Sequence, residues 1–180
     1  VSVVVLAAGK GTRMKSDLPK VLHEVLGKPI LAHALDALSF IENKYVVVGH
    51  ESDMVINLLP TSTKHILQKS QLGTGHAVST VVSDKLFAEN KSEFTLVVPG
   101  DVPAIDTEDI HHLISEVKTK TSSVGFLTSK VKNPHGYGRV VRNNEEVRIV
   151  EEKDCSDDER KINEINSGIY CFNTDFLIEN

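Results

Sequence analysis

The sequence is poor in cysteine, in basic charge and in long apolar runs, and each shortage removes a class of function. Two cysteines, Cys155 and Cys171, are too few for a disulfide framework, and neither sits in a CxxC or close Cys/His arrangement that would hold zinc. Both read as reduced thiols. The formal charge of −5 supplies no overall basic field for a nucleic-acid backbone, so any phosphate has to be met by local groups. A small anionic ligand fits that balance better than DNA. No apolar run approaches the roughly 20 residues that cross a bilayer, and Val1 leads straight into a strand without a basic n-region or cleavage site. No membrane association and a cytoplasmic location are therefore expected. Tryptophan is absent and aromatics make up 5%, but 40% apolar and 25% charged residues are ordinary for a globular protein. With 180 residues the chain can bury one sizeable core, which predicts one domain or most of one. The start at Val1 rather than Met, and the end at Asn180 inside a new helical pattern, lead us to expect a C-terminally truncated domain over 1–180.

What is present is an alternation of short β-branched runs with longer segments of helical period, the pattern of βαβ units around a mainly parallel sheet. The run Ser2 to Leu6 is continuously apolar rather than alternating, as suits a strand buried on both faces. Further strands are predicted over Tyr45 to Val48, Lys64 to Leu67, Phe94 to Val98 and Ser123 to Thr128. Pro29 to Phe40 reads as a helix with Pro in its first turn and Ile30, Leu31, Ala34, Leu35 and Leu38 on one face. Asp106 is a candidate N-cap for a helix carrying Ile110, Leu113, Ile114 and Val117, and Thr74 for one carrying Ala77, Val78, Val81 and Val82. Past Asn133 the stretches GYGRVV and EVRIVEE read as a hairpin appended to the parallel half.

Directly after the first strand comes LAAGKGTRMKSDLPK, where Gly9 and Gly11 share a loop with Lys10, Arg13, Lys15 and Lys20. Small residues let backbone N–H groups approach an anion, and the cations add charge, so the composition is that of a phosphate cradle. Ligands of open α/β sheets sit beyond the carboxyl ends of the strands, where this loop lies. Spacing excludes two common phosphate loops. Gly9 and Gly11 are one residue apart with no Gly-Lys-Ser/Thr following, which rules out a P-loop. A dinucleotide fingerprint needs a small residue where Met14 stands and an acidic one where Gly49 and His50 stand.

LAAGKGTRM followed by LPKVL resembles the signature of the sugar nucleotidyltransferases, specifically the uridyltransferase half of the bacterial bifunctional N-acetylglucosamine-1-phosphate uridyltransferase/glucosamine-1-phosphate acetyltransferases. QLGTGHA, PGDVP, GYGR, VEEKD and EINSGIY follow in the family's order and at similar spacing, so the resemblance covers essentially the whole chain. It implies a Rossmann-like α/β fold of the GT-A type, three-layered, with a mostly parallel sheet and an appended β-hairpin region. It implies transfer of uridylyl from UTP to N-acetylglucosamine-1-phosphate, giving UDP-N-acetylglucosamine and pyrophosphate with Mg²⁺ as cofactor.

Carried over residue by residue, Leu6, Ala7, Ala8 and Gly9 resemble the edge that holds uracil and ribose, while Gly9, Gly11, Thr12 and Arg13 wrap the phosphates and Lys20 reaches the reacting centre. Arg13 and Lys20 are thereby the candidate catalytic residues. Gln68 resembles the side chain that reads uracil, an amide able to complement O4 and N3–H, and Gly73 and Thr74 add further nucleotide contacts. Gly138, Glu151 and Asn166 resemble the residues that hold the amino sugar, and Asp101 the magnesium ligand beside it. The family's second metal ligand is an Asn beyond Asn180, and its C-terminal acetyltransferase β-helix belongs to a region absent from these 180 residues, so a homotrimer is expected of the full-length protein and a monomer of this chain.

Several of these residues have plainer readings. Asp101 in a Gly-Asp pair could be only a turn, Lys15 reads as solvated surface, Asn166 could mark a bulge, and the eight His show no metal spacing, with His76 placed on a helix rather than acting as a base. Pro99 departs from the aromatic expected before Gly100-Asp101, and the acidic CSDDERK stretch is given no role. An anionic phosphate nucleophile needs no catalytic base, which agrees with the lack of a Ser/His/Asp or Cys/His constellation. The alternatives are thymidylyl or cytidylyl transfer on the same scaffold and a non-catalytic nucleotide-binding fragment. A nicotinamide oxidoreductase is already weakened by Met14.

Overall fold

A computed structural model describes residues 1–9, 11, 14, 16, 18–143 and 146–180. Two compact units form. The larger comprises Val1–Gly125 with Tyr170–Asn180, and the smaller Phe126–Ile169.

The larger unit opens with β1 (Ser2–Leu6), whose Val3, Val4 and Val5 are all fully buried. A small hairpin follows, β2 (Glu24–Val25) against β3 (Lys28–Pro29), and then α1 (Ile30–Ala37). Next come β4 (Asn43–Val48), the short α2 (Ser52–Ile56) and β5 (Lys64–Leu67). After α3 (Thr74–Val82), α4 (Lys85–Asn90) and β6 (Phe94–Pro99), α5 (Thr107–Thr119) completes the helices that flank the sheet. Strands β5, β4, β1 and β6 lie side by side and all parallel. In register, Leu6 faces Val47 on one side and Pro99 on the other, so the carboxyl ends of the central strands come level and deliver their loops to one place.

Helices cover both faces of this sheet, which is why its strands are apolar throughout rather than alternating. Val4, Tyr45, Val47 and Val97 pack on Ala77 and Val81 of α3 and Phe87 of α4. On the opposite face Leu31 of α1 comes close to Val5 at Gly100, and Thr107 at the start of α5 donates to the Ala37 carbonyl of α1. The expected α/β class with a mostly parallel core is what forms.

Some boundaries differ from expectation for local reasons. Pro29 is not in the first turn of α1: it is extended (φ −54°, ψ 141°), pairs with Glu24 in the hairpin and precedes the helix, which stops at Ala37 rather than Phe40. Thr74 does not cap α3. It is the first helical residue, and the cap position belongs to Gly73 at φ +107°, a backbone angle that L side chains rarely adopt. Asp106 does cap α5, accepting from the Glu108 N–H at 2.8 Å.

In the smaller unit β7 (Val124–Lys130, of which 126–130 belong here) pairs with β10 (Glu164–Asn173), and β8 (Arg139–Arg142) forms an antiparallel hairpin with β9 (Val147–Val150), as the GYGRVV and EVRIVEE stretches suggested. The last residues of β10 return to the larger unit, pairing antiparallel with β6 from Tyr170↔Val97 to Asn173↔Phe94, and α6 (Thr174–Glu179) follows. Val140, Cys155, Ile165 and Ile169 form the apolar interior of the smaller unit.

Three carboxylates of the smaller unit are held below the usual range. Glu152 accepts from the Gly136 backbone N–H and from Arg139, Glu159 from the Ser156 backbone and hydroxyl with Arg148 beside it, and Glu164 from Arg142. Depressed carboxyls favour the folded state above their unfolded pKa and lose that contribution as pH falls through their folded values. Amide exchange of β8 and β9 is therefore expected to accelerate below about pH 4 while that of β1 and β4 stays slow. Equal acid sensitivity of the two strand pairs would contradict this.

Candidate active site: a cleft at the strand carboxyl ends

The loops after β1, β5 and β6 enclose a cleft of about 510 Å³ in the larger unit. Its floor is backbone. Ala7 and Ala8 are nearly fully buried, and the Ala7 N–H donates to the Val47 carbonyl at 2.9 Å, which carries the chain past the end of β1 without a turn. Two glycines outside the loop make room for this. A Cβ on Gly49 would lie 2.9 Å from the Ala8 Cβ, and one on Gly100 would lie 2.9 Å from the Leu6 carbonyl oxygen, to which the Gly100 N–H donates. Among the described residues Gly9 has no neighbour within 4 Å of the Cβ it lacks, and it borders the cleft. Gly11 holds φ +58°, and a Cβ there would come 2.7 Å from the Lys20 Cβ, so the loop folds down onto Lys20.

Lys20 opens a single 3₁₀ turn, Lys20–Leu22, whose Val21 and Leu22 are buried while Lys20 turns to the cleft. Its Nζ donates to Asp101 Oδ2 at 2.7 Å, both side chains being about a third exposed. Asp101 stands in the turn after β6, beyond Pro99 and Gly100, so its position follows from the end of that strand. The pair joins a cation and a hard oxygen ligand at the mouth of a backbone-lined cleft, a combination suited to phosphate together with a divalent cation.

On the far wall Gln68 follows β5. It is 3% exposed, its N–H donates to the Val48 carbonyl at 2.8 Å, and its amide lies against Gly73 and His76. Gly73 and Thr74, at the amino end of α3, complete that side. Leu6, Ala7, Ala8, Gly9, Gly11, Lys20, Gln68, Gly73, Thr74 and Asp101 thus all border one cleft. Thr12 and Arg13 lie outside the described residues. Pro99 lines the cleft as well, and so do Gln71, Met14 and Ala77, which the sequence reading did not pick out. Gln71 had a signal, being the first residue of QLGTGHA, whereas Met14 was read only as a departure from the dinucleotide pattern.

Gly138, Glu151 and Asn166 come together in the smaller unit. A Cβ on Gly138 would lie 3.5 Å from Glu151 Oε1, and the Asn166 N–H donates to the Gly138 carbonyl at 2.9 Å. Asn166 Oδ1 also accepts from the Gly168 N–H at 3.0 Å, and Gly168 has φ +81°, so the side chain has a local backbone task inside β10. Among the described residues no group of three or more His, Cys, Asp or Glu side chains could hold a metal, and no helix is long and apolar enough to cross a membrane. His76 lies on α3, as expected.

Residues 3–154 match the MobA-like NTP transferase domain. The chain belongs to that family. Curated relatives include the bifunctional protein GlmU of Fervidobacterium nodosum, 47% identical over 178 residues and 99% of this chain, and that of Lactococcus lactis, 46% identical over 180 residues. The chain spans 38% and 39% of those relatives' lengths. Among solved structures, HddC from Yersinia pseudotuberculosis superposes with a TM-score of 0.75 at 21% identity, over 99% of this chain and 79% of that one. A Bacillus anthracis protein assigned as a glucose-1-phosphate thymidylyltransferase reaches 0.80 at 20% identity, over 98% and 72%. At such identities the structures establish the fold, a nucleotidyltransferase fold. The cleft lies where this family's α/β architecture is expected to bind, past the strand carboxyl ends.

Proposed function

We propose that the chain transfers uridylyl from UTP to N-acetylglucosamine-1-phosphate, releasing pyrophosphate and forming UDP-N-acetylglucosamine. The observation that carries this is the Lys20–Asp101 pair, 2.7 Å apart at the mouth of a cleft floored by Leu6, Ala7, Ala8, Gly9 and Gly11. The identity to two GlmU proteins supports the choice of substrates.

In this reading the N–H groups of the loop and Lys20, with Arg13, hold the triphosphate, Gln68 faces the base, and Gly73 and Thr74 hold the nucleoside. Gly138, Glu151 and Asn166 take the amino sugar. Asp101 fits Mg²⁺ as one hard carboxylate oxygen, since this ion keeps several waters and takes its other ligands largely from substrate phosphates. Bound there, Mg²⁺ would supply charge neutralisation for the phosphates. Lys20 supplies the same from the protein side and orients the group to be attacked. The sugar phosphate is already an anion, so no side chain has to remove a proton, and positioning with charge neutralisation carries the rate.

Pyrophosphate release measured for the four ribonucleoside triphosphates and dTTP, each with N-acetylglucosamine-1-phosphate, glucosamine-1-phosphate and glucose-1-phosphate, tests the assignment. UTP with N-acetylglucosamine-1-phosphate is expected to exceed every other pair by at least about tenfold in kcat/KM. Faster turnover of dTTP with glucose-1-phosphate would transfer the chain to the thymidylyl reading.

A further inference from the structure

His76 belongs to the QLGTGHA stretch, yet the transfer reaction leaves it without a task. It lies on the first turn of α3, and its Nδ1 is 2.8 Å from the amide nitrogen of Gln68. The same amide nitrogen is 3.3 Å from the Gly73 carbonyl oxygen. That oxygen can only accept, so the group facing it is the NH₂, and the orientation of the Gln68 amide follows from chemistry alone. The second N–H of the NH₂ then points to His76 Nδ1, which accepts it, so the imidazole carries its proton on Nε2. Both amide hydrogens are consumed inside the protein. Gln68 is buried, its backbone is pinned to β4, and it borders the cleft, so what it has left for a ligand is Oε1, an acceptor that suits N3–H of uracil but not, as the sequence suggested, O4 as well.

We propose that His76 is a specificity-determining positioning residue: it locks the Gln68 amide so that the cleft presents an acceptor, and not a donor, to the edge of the nucleobase. An acceptor there matches the ring N–H of uracil and meets the bare ring nitrogen of cytosine lone pair to lone pair. Turning the amide over would reverse the preference, but it would aim Oε1 at the Gly73 carbonyl, which can only accept, and would force the imidazole proton from Nε2 to Nδ1. The selection is made by repulsion as well as by attraction. Gly73 supplies that carbonyl at the cap position of α3, where it also accepts from the Ala77 N–H at 3.1 Å. The inference rests on the nucleotide-binding reading of the cleft, and adds to it the residue that decides between uridine and cytidine.

The test is calorimetric titration of the chain with UTP and with CTP in the presence of Mg²⁺, for the natural sequence and two variants. His76→Phe keeps a ring but removes the acceptor, and is expected to lower the UTP-over-CTP affinity ratio by about tenfold, the size of one lost polar discrimination. His76→Leu serves the same purpose should the phenyl ring not be accommodated. His76→Asn places Oδ1 where Nδ1 stood and is expected to keep the ratio within about threefold of the natural one. A purely structural role for His76 would weaken both nucleotides alike and leave the ratio unchanged in every variant, which overturns the proposal. Loss of the ratio in the asparagine variant as in the phenylalanine one overturns it too. Absence of binding of either nucleotide to the natural sequence would instead sink the reading of the cleft itself, and this inference with it.

Discussion

Replacing Lys20 by methionine is expected to lower kcat for the proposed transfer by on the order of 10²- to 10³-fold, the scale of losing one preorganised charge at a reacting centre. Stability should change by no more than about 1 kcal/mol, because the Lys20–Asp101 pair is about a third exposed and solvent screens it. The side chain earns its place through geometry. Val21 and Leu22 anchor the short turn in the core, Gly11 folds the phosphate loop onto the Lys20 Cβ, and Nζ is left 2.7 Å from Asp101. Methionine preserves the apolar stem that packs under Gly11 while removing the charge, so a loss confined to kcat is read as lost neutralisation and not as a collapsed loop. Removing the lysine also leaves the Asp101 carboxylate facing the phosphates without its cation, which adds repulsion to the lost attraction. Steady-state kinetics on the protein carrying Lys20→Met separates the two possibilities, since a raised KM at constant kcat would mean that Lys20 binds substrate and transition state equally. Turnover near the natural rate would remove Lys20 from the catalytic assignment.

The cleft was more legible in the sequence than the helices that frame it. Where a physical constraint acts within a few residues, the reading was direct: the unbroken apolar run of β1 meant burial on both faces, and the one-residue spacing of Gly9 and Gly11 excluded a P-loop. Gln68, Thr74 and Asp101 were reached only through family resemblance, because each is brought to the cleft by a strand end or helix start far from the loop in sequence. What escaped was short or dictated from a distance. The six-residue hairpin around Leu26 and Gly27, α2 and α4 carry too few apolar positions to show a period, and Val55 and Phe87 are the only residues of those two helices that are buried. Pro29 looked like a helix start because proline suits a first turn, but its pairing with Glu24 claims it for the hairpin. Gly100 stood in the PGDVP stretch and Gly49 where a dinucleotide pattern would need an acid, but neither pattern says why a glycine is required. Their need appears only when the neighbouring strand ends are seen to leave no room for a Cβ.

Arg139 closes the GYGR stretch, and its surroundings assign it a structural load that predicts a large and asymmetric stability effect. The residue is 1% exposed, its guanidinium donates to the Tyr137 carbonyl and, at 2.8 Å, to Glu152 Oε2, and its Nε has no partner among the described residues. Glu152 Oε2 also accepts from the Gly136 N–H at 2.9 Å, so one carboxylate ties the 134–138 loop to the base of β8, immediately before the Gly138 that faces Glu151. Arg139→Met retains most of the buried stem and loses the hydrogen bonds, and is expected to cost about 2–3 kcal/mol. It leaves no stranded charge, because Glu152 is 27% exposed and can turn to water. Glu152→Leu does strand one: the guanidinium stays buried with a single carbonyl for a partner, so this variant should be the less stable of the two although the side chain removed is the more exposed. Adding Arg139→Met to Glu152→Leu should therefore raise stability, because the second substitution takes away the charge that the first left unpaired. Urea unfolding of the three variants, followed at β8 and β9, decides the matter. A Glu152→Leu chain more stable than Arg139→Met, or a double variant less stable than Glu152→Leu, would show that the pair does not act as a buried strut.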